Sequence, residues 1–380
     1  MAKRKTYKED RKGWPLFNRL LADYIELTRF PELPERPKQG KNYEYWPDGA
    51  LCANGNPYHG CIRLGSANKL MIGFSGGGVS VDEHTAARPQ RVGGQGEMFY
   101  SDDVRFGDII PRIGTFGSSK KNPFRDWSLL FVPYATGDFH CGTGDFPYTD
   151  LNGKPSVLNH HGYTNFQMLL KKIKELVPNP DQILVTGFSA GAFATSLLTD
   201  TVAAAFPACL DITACVDSAM MHYDWQRVAR EVWKAPEEIV SRLTGDEIVT
   251  DSLLALHRNH PEIKIMYCCS VRDAALTQME MYLEDGRWLP DKAAGVSFQR
   301  KLKEMRETLQ KSIPELSVFI FDTPDKKSKD AELTVHCLCG SNAAFTTVVD
   351  GVSCADWMMR GVGGEVLKLG LGLLLKELTT

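Results

Sequence analysis

Six short apolar runs, separated by segments of helical character, restrict the folds that this chain can adopt. The runs are rich in Val, Ile, Leu and Phe without clean polar alternation, which is typical of strands covered on both faces. Because such strands alternate with helices, we predict an α/β fold, a three-layer sandwich with a mostly parallel sheet and helices on both faces. The predicted strands are 70–74, 129–134, 183–186, 214–216, 263–270 and 318–321, and the predicted helices are 165–176, 192–204, 225–232, 248–258, 274–283 and 298–312.

Two segments near the start of the chain are rich in Gly and Pro and show little periodicity. We expect residues 28–66 and 85–125 to form long loops over the C-terminal edge of the sheet, where long loops are often functional. A chain of 380 residues is long enough for one large α/β domain. We therefore predict an N-terminal extension with loops over residues 1–49 and a single domain over residues 50–380.

Composition argues against several classes of protein. Hydrophobic residues make up 43% of the chain and charged residues 24%, and the formal net charge of -3 gives no reason to expect a nucleic-acid partner. We interpret the basic N-terminal segment, which acidic residues interrupt, as a solvated tail. The most apolar segment, 366–378, contains charged residues, so we predict a packed terminal helix and no membrane span. We expect a soluble, cytoplasmic protein with reduced cysteines, and the oligomeric state stays open.

The pattern Gly-x-Ser-x-Gly marks the sharp strand-to-helix turn of a nucleophilic serine, and it occurs twice. The two copies centre on Ser75 and Ser189. Ser189 lies between the predicted strand 183–186 and a good helical segment, which is the context that such a turn needs. Ser75 also follows a strand, but the three glycines after it are a poor start for a helix. We therefore predict an α/β-hydrolase-like fold with Ser189 as the nucleophile and Ser75 as the weaker alternative.

An acid and a histidine should follow such a serine, each on a loop after a later strand. Asp273 comes directly after the predicted strand 263–270, and His336 comes after the strand 318–321 and a charged loop. The histidine would take the hydroxyl proton while the aspartate fixes its tautomer. Asp273 also fits the N-cap of a helix. His222 competes with His336, although its place before Asp273 breaks the usual chain order.

The glycines after Ser75 suit a loop that directs backbone N–H groups at a developing negative charge. We predict an oxyanion hole formed by Gly77, Gly78 and Val79 of this loop, together with Ala190 beside the nucleophile.

Apolar residues after the strand 214–216 are candidates for substrate contacts. They are Met221, Tyr223 and Trp225, although core packing is the default role for such side chains. We predict no catalytic metal, because the spacing of the remaining acidic and histidine residues fits no common metal site. Those residues are Asp138, His140, Asp145, His160 and His161.

Taken together, these segments resemble the pectin acetylesterase family. The similarity runs over approximately residues 50–360 and lies in the blocks 74–79, 187–191 and 217–219 and in Asp273, His336 and Trp357. The resemblance implies an α/β-hydrolase fold and hydrolysis of an O-acyl ester without a metal or organic cofactor. Ser75, Val79 and Ser80 depart from the family pattern beside the predicted reacting centre.

Three functional hypotheses follow. The first is a serine carboxylesterase that removes O-acyl groups, above all O-acetyl groups, from plant-derived poly- or oligosaccharides. The alternative is a carboxylesterase for a longer acyl chain or a small non-carbohydrate ester. The third is a binding protein that keeps the fold without activity, against which the complete Ser-Asp-His set argues. The expected partner is a small-molecule or oligosaccharide ester, with neither nucleic acid nor membrane involved.

Overall fold

The structure is a computed structural model that describes residues 19–20, 23–24, 27–90, 96–104 and 107–376. Its strands are numbered here along the chain. They are β1 (Asn42–Tyr45), β2 (Gly60–Arg63), β3 (Lys69–Phe74), β4 (Ser128–Val132), β5 (Gly144–Thr149), β6 (Pro155–His160), β7 (Gln182–Phe188), β8 (Ile212–Asp217), β9 (Lys264–Ser270), β10 (Ser317–Phe321), β11 (Val348–Val349), β12 (Val352–Ser353) and β13 (Lys368–Leu369).

Nine of these strands form one central sheet, in the order β1-β2-β4-β3-β7-β8-β9-β10-β13. The strands from β4 to β13 in this order pair in parallel, whereas β1 with β2 and β2 with β4 pair in antiparallel register. All six predicted strands belong to this sheet, so the predicted fold class is confirmed. Sequence reasoning missed β1, β2 and β13, because they are edge or near-edge strands too short to stand out as apolar runs.

Among the described residues, six helices of nine or more residues pack against the sheet: α1 (Gly162–Leu176), α2 (Ala190–Ala205), α3 (Ile248–Asn259), α4 (Ala274–Asp285), α5 (Lys292–Ser312) and α6 (Cys354–Val362). Shorter helical turns occur at Glu83–Ala86, Gly107–Arg112, Gly114–Phe116, Trp225–Arg227, Glu237–Val240, Lys329–Ala331, Asn342–Phe345 and Leu371–Leu375, and a π-turn spans Val228–Val232.

Three helix predictions differ from the structure. The predicted helix 225–232 is one α-turn that continues as a π-turn. Helix α5 begins earlier than predicted, because the Asp291 side chain caps it by accepting the N–H of Ala294. The predicted terminal helix 366–378 is instead strand β13 and a 3-10 turn up to residue 376, separated by Gly370 with φ of 71° in the left-handed region, and its last two residues lie outside the described part of the chain.

Alternate side chains of each central strand enter two separate cores, one on each face of the sheet. In β7, Ile183 and Val185 pack into the core beneath α1 to α5, whereas Leu184 packs into the core beneath α6. Burial of each such side chain stabilises the fold by roughly 1.5–3 kcal/mol. This two-sided burial explains why the strand sequences are uniformly apolar.

Across the described part of the chain, none of the helices combines the length and the apolar character that a bilayer-spanning segment needs. The division of the chain at residue 49 stays a prediction.

Candidate active site

Ser189 occupies the sharp turn between the end of β7 and the start of α2. Its backbone has φ of 57° and ψ of -128°, so a non-glycine residue is held in the left-handed half of conformational space. Such a conformation costs on the order of 1–3 kcal/mol and persists only where the surroundings enforce it. The Ser189 N–H donates to the carbonyl of Asp217 at 3.0 Å, and its carbonyl accepts the N–H of Ala192 at 2.8 Å. These bonds hold the serine at the C-terminal edge of the sheet.

The two glycines that flank Ser189 are required by close packing. A Cβ atom added to Gly187 would lie 2.2 Å from the carbonyl oxygen of Gly191. A Cβ atom added to Gly191 would lie 2.1 Å from the carbonyl oxygen of Phe74. Since real Cβ atoms need well over 3 Å, either side chain would force α2 away from the strands. The sequence pattern therefore reflects how tightly the first turn of α2 rests on β3 and β7.

Asp273 and His336 form a hydrogen-bonded pair. The carboxylate Oδ2 of Asp273 lies 2.8 Å from the Nδ1 atom of His336. The other oxygen, Oδ1, accepts the N–H groups of Ala275 at 3.1 Å and Leu276 at 3.0 Å at the start of α4. Asp273 is fully buried. The two oxygens of this side chain thus fill two roles that the sequence allowed together: one caps the helix and the other holds the histidine.

A short parallel pairing between distant segments brings His336 to Asp273. The N–H of Thr334 donates to the carbonyl of Arg272 at 2.9 Å, and the N–H of Ala274 donates to the carbonyl of Thr334 at 3.0 Å. This bridge aligns residues after β10 with the end of β9. Such a contact between residues that lie 60 to 62 positions apart in sequence has no local pattern that reveals it.

The environment of His336 favours its protonated form. Burial disfavours the imidazolium, but the Asp273 carboxylate on Nδ1 and the charge of Asp217 outweigh burial and raise the pKa of His336 above its ordinary value. The Nε2 atom is buried and has no hydrogen-bond partner among the described residues. In the described structure no hydrogen bond joins Nε2 to the Ser189 hydroxyl, although Ser189 and His336 line one cavity.

The glycine-rich loop after β3 packs directly on Ser189. A Cβ atom added to Gly76 would lie 2.4 Å from the Ser189 Cβ. The N–H of Val79 donates to the carbonyl of Phe99 at 2.8 Å, so this N–H is occupied and Val79 drops out of the predicted oxyanion hole. The N–H groups of Gly77, Gly78 and Ala190 form no hydrogen bond within the described ranges, and all three residues line the cavity.

Ser75, the weaker candidate nucleophile, has a structural role. Its side chain is buried, and its Oγ atom accepts the N–H of Tyr134 at 2.7 Å. Its carbonyl oxygen lies 3.1 Å from the Nε2 atom of His140. Burial lowers the pKa of His140 to about 4, so this imidazole is neutral at physiological pH and anchors the loop.

A cavity of about 200 Å³ opens at Ser189 and His336. Its wall is mostly apolar. The lining side chains include Met98, Phe99, Phe139, Phe193, Met221, Leu276, Met279 and Trp288, with Gln90 and Gln278 as polar members. Of the three predicted substrate contacts, Met221 lies in this wall and the other two do not.

Trp225 and Tyr223 are corrections to the predicted substrate-binding set. Trp225 is fully buried, its indole N–H donates to the carbonyl of Met221 at 2.7 Å, and its ring packs against Phe139 and Trp233. Tyr223 packs beside Trp225, with their ring centroids 5.8 Å apart. The Trp225 ring thus lies behind Phe139 of the cavity wall, and the half-buried Tyr223 packs on the Trp225 ring. The wall residues on α4 and its following loop, Met279 and Trp288, had no sequence pattern that marked them.

The competing histidine, His222, is committed to another contact. Its Nδ1 atom lies 2.6 Å from Oε1 of Glu280, and Lys301 also contacts that carboxylate at 3.0 Å. Burial disfavours its charge, but the Glu280 carboxylate outweighs this and raises the pKa of His222. His222 does not line the cavity that contains Ser189.

The residues weighed as metal ligands make other contacts, and the Nδ1 atom of His160 lies 2.8 Å from the carbonyl oxygen of Thr136. The carboxylate of Asp138 accepts the Thr136 hydroxyl at 2.6 Å and three backbone N–H groups, of His140, Gly142 and Gly162. His161 pairs with Asp145 at 2.9 Å. These contacts order the loop that contributes Phe139 to the cavity.

In the described part of the chain, one group of three side chains has potential ligand atoms within 4.8 Å of one another, namely Glu44, His59 and Asp108. Arg29 donates to both carboxylate oxygens of Glu44, at 3.1 and 2.7 Å. A guanidinium thus already balances the charge of that carboxylate, which disfavours a metal ion there.

Comparison with known proteins gives one family and one fold. The family model described as pectinacetylesterase matches residues 44–243. Two crystal forms of the Wnt deacylase Notum from Drosophila are similar in structure, each with a TM-score of 0.56 and 15% sequence identity. The alignments cover 86% of this chain and 95% or 94% of the Notum chain. At this identity the likeness concerns the fold alone. No curated protein sequence matches the chain.

Proposed function

The chain belongs to the pectinacetylesterase family, and on this basis we propose that it is a serine carboxylesterase that hydrolyses O-acyl esters through Ser189, His336 and Asp273. One observation carries the proposal beyond family membership. The imidazole of His336, held by Asp273 at 2.8 Å, lines the same cavity as a serine in a strained strand-to-helix turn, and its Nε2 atom has no hydrogen-bond partner among the described residues. Nucleophilic catalysis by a hydroxyl uses these groups once the base and the hydroxyl come within hydrogen-bond reach, and we propose that substrate binding completes that approach.

In the proposed mechanism, Nε2 of His336 accepts the hydroxyl proton while the Ser189 Oγ attacks the ester carbonyl. The carboxylate of Asp273 holds the proton on Nδ1 and stabilises the imidazolium that forms. The N–H groups of Ala190 and of Gly77 or Gly78 would stabilise the oxyanion. The imidazolium then gives its proton to the leaving alcohol, and water hydrolyses the acyl-enzyme by the reverse sequence of proton transfers.

In this proposal, the cavity beside Ser189 and His336 binds the acyl group of the substrate. O-acetyl is the first candidate, because of the family to which the chain belongs. A longer acyl chain is the second, because the cavity is apolar and its volume equals that of about seven water molecules. An acetyl group fills only part of that space. The proposed alcohol component is a small molecule or an oligosaccharide.

The location of the protein bears on the size of the substrate. The predicted cytoplasmic location stays a prediction; it would favour imported oligosaccharides over an intact polymer. All ten cysteines are free thiols in the structure, and nine of them are buried.

The experiment is turnover of p-nitrophenyl esters from acetate to octanoate by the parent protein, Ser189→Ala and Ser252→Ala. Ser252 is a matched control, because it is a buried serine on α3 whose hydroxyl donates to the carbonyl of Ile248. We expect Ser189→Ala to lose kcat by a factor of at least about 10³, and Ser252→Ala to keep activity. A serine-directed phosphonate should label Ser189 in the parent. Turnover by Ser189→Ala at the parent rate would refute the assignment.

The chain-length profile separates the two candidate acyl groups. A maximum of kcat/KM at acetate would support the acetylesterase hypothesis. A maximum at four to eight carbons would support the longer-acyl alternative.

A further inference from the structure

Asp217 lies at the end of β8 and is not one of the three proposed catalytic residues. It nevertheless bonds both to the turn that holds Ser189 and to the loop that follows His336. We infer that Asp217 is a positioning residue that fixes His336 relative to Ser189 and stabilises the positive charge that His336 acquires during the reaction. This inference rests on the proposed function, because it gives Asp217 a role in the same triad.

Asp217 and Ser218 bind three successive N–H groups of the loop that follows His336. The Asp217 Oδ2 atom accepts the N–H of Leu338 at 2.8 Å and that of Cys339 at 2.7 Å. The Ser218 hydroxyl accepts the N–H of Cys337 at 3.2 Å and donates to Oδ1 of Asp217 at 3.1 Å. The loop is therefore fastened at every residue from 337 to 339, directly after the imidazole.

Asp217 also forms a hydrogen bond with the backbone of Ser189. The backbone carbonyl of Asp217 accepts the Ser189 N–H at 3.0 Å, so one residue bonds to the serine turn through its main chain and to the histidine loop through its side chain. Left-handed φ angles occur at Ser189 (57°), Ser218 (65°) and Cys337 (65°). Three such residues in one bonded group indicate that tertiary contacts enforce the geometry.

Asp217 is a second carboxylate that acts on His336. It is fully buried, and no Lys or Arg side chain pairs with it in the ranges that the structure describes. Burial raises the pKa of Asp217, while the N–H bonds and the nearby His336 oppose that rise. Its negative charge in turn raises the pKa of His336, in addition to the larger effect of Asp273. The adjacent Cys337 and Cys269 thiols have pKa values raised by burial, so they add no charge at neutral pH.

The test is the Asp217→Asn variant, assayed with p-nitrophenyl acetate across the pH range. The amide removes the charge and places an NH₂ group or a single acceptor where two N–H donors now converge. We expect kcat to fall about 10- to 100-fold, the range that loss of a buried charged hydrogen bond gives, with KM changed less than threefold. Since imidazolium loses a stabilising charge, the acidic limb of kcat/KM should move to lower pH.

Asp200→Asn is the matched control. Asp200 is also a buried aspartate, but it pairs with Arg242 at 2.7 Å on the far half of α2. It should lose stability without a change in the acidic limb. If Asp217→Asn keeps the parent acidic limb and loses no more activity than Asp200→Asn, the inference is overturned.

Ser218→Ala keeps the inference testable if Asp217→Asn does not fold. It removes the acceptor of the Cys337 N–H and leaves the carboxylate, so kcat should fall about three- to tenfold. A folded Ser218→Ala variant with the parent kcat would count against the positioning role. Full activity in both Ser189→Ala and His336→Ala would instead refute the proposed function itself, which is a separate outcome.

Discussion

Replacing Gly76 by alanine should push the glycine-rich loop after β3 away from Ser189. The Cβ of Gly76→Ala would lie 2.4 Å from the Ser189 Cβ and 2.8 Å from the Phe188 carbonyl oxygen. Carbon atoms in contact need about 3.5 Å or more, so the loop or the serine turn must move by about 1 Å. Neither obstacle is the flexible end of a side chain. Helix α2 and the strands hold both atoms in place.

This movement should affect both the folding stability and the position of the N–H donors of the oxyanion hole. Overpacking of this kind typically costs about 1–3 kcal/mol of folding stability. A displacement of about 1 Å takes an N–H donor out of the range of 2.7–3.1 Å that oxyanion stabilisation needs. Loss of one donor reduces kcat by about 10²- to 10³-fold, equivalent to about 2.7–4 kcal/mol. We therefore expect a folded enzyme with a large loss in kcat.

The assay is kcat and KM with p-nitrophenyl acetate at 25 °C, together with urea denaturation. Gly372→Ala is the control, because a Cβ atom there would meet nothing within 4 Å and its φ is not left-handed. Gly372→Ala should match the parent in both measurements. If Gly76→Ala kept kcat within twofold of the parent while remaining folded, the link between this loop and catalysis would be wrong.

Three further predictions concern the histidine, its acid and the aromatic packing. Asp273→Asn should lower kcat by about 10⁴-fold without unfolding the protein, because the amide favours the wrong tautomer of His336; parent-like kinetics would contradict this. The acidic limb of the pH profile of kcat/KM should lie above the ordinary imidazole pKa of about 6.5. The reason is that the raised pKa keeps His336 protonated, and so unable to accept a proton, until higher pH. An acidic limb below that value would contradict the stabilisation of the imidazolium by the nearby carboxylates. Trp225→Ala should destabilise the fold by about 3–5 kcal/mol in urea denaturation. Met279→Ala should lose less stability and should shift the preferred p-nitrophenyl ester to a longer acyl chain. A larger loss of stability in Met279→Ala, with the shift in ester preference in Trp225→Ala, would contradict the placement of the two side chains.

Much of the framework was predictable because its causes are local in sequence. A strand buried on both faces must be apolar throughout, which is why 183–186 and 318–321 were recognisable. The glycines around Ser189 record a steric requirement, since a Cβ at either position would strike the backbone of a neighbouring element. Asp273 could be placed at the C-terminal edge of the sheet because it directly follows a strand. These features are fixed within a window of a few residues.

The remaining features depend on contacts between distant segments. The bridge from Thr334 to Arg272 determines that His336, and not His222, reaches Asp273, and no spacing in the chain encodes that bridge. The Val79 N–H, a plausible donor by sequence, is occupied by Phe99. Apolar composition alone cannot separate a cavity wall from a core, because both require water-excluding side chains; which side Met221 and Trp225 take depends on how the loops fold over the sheet.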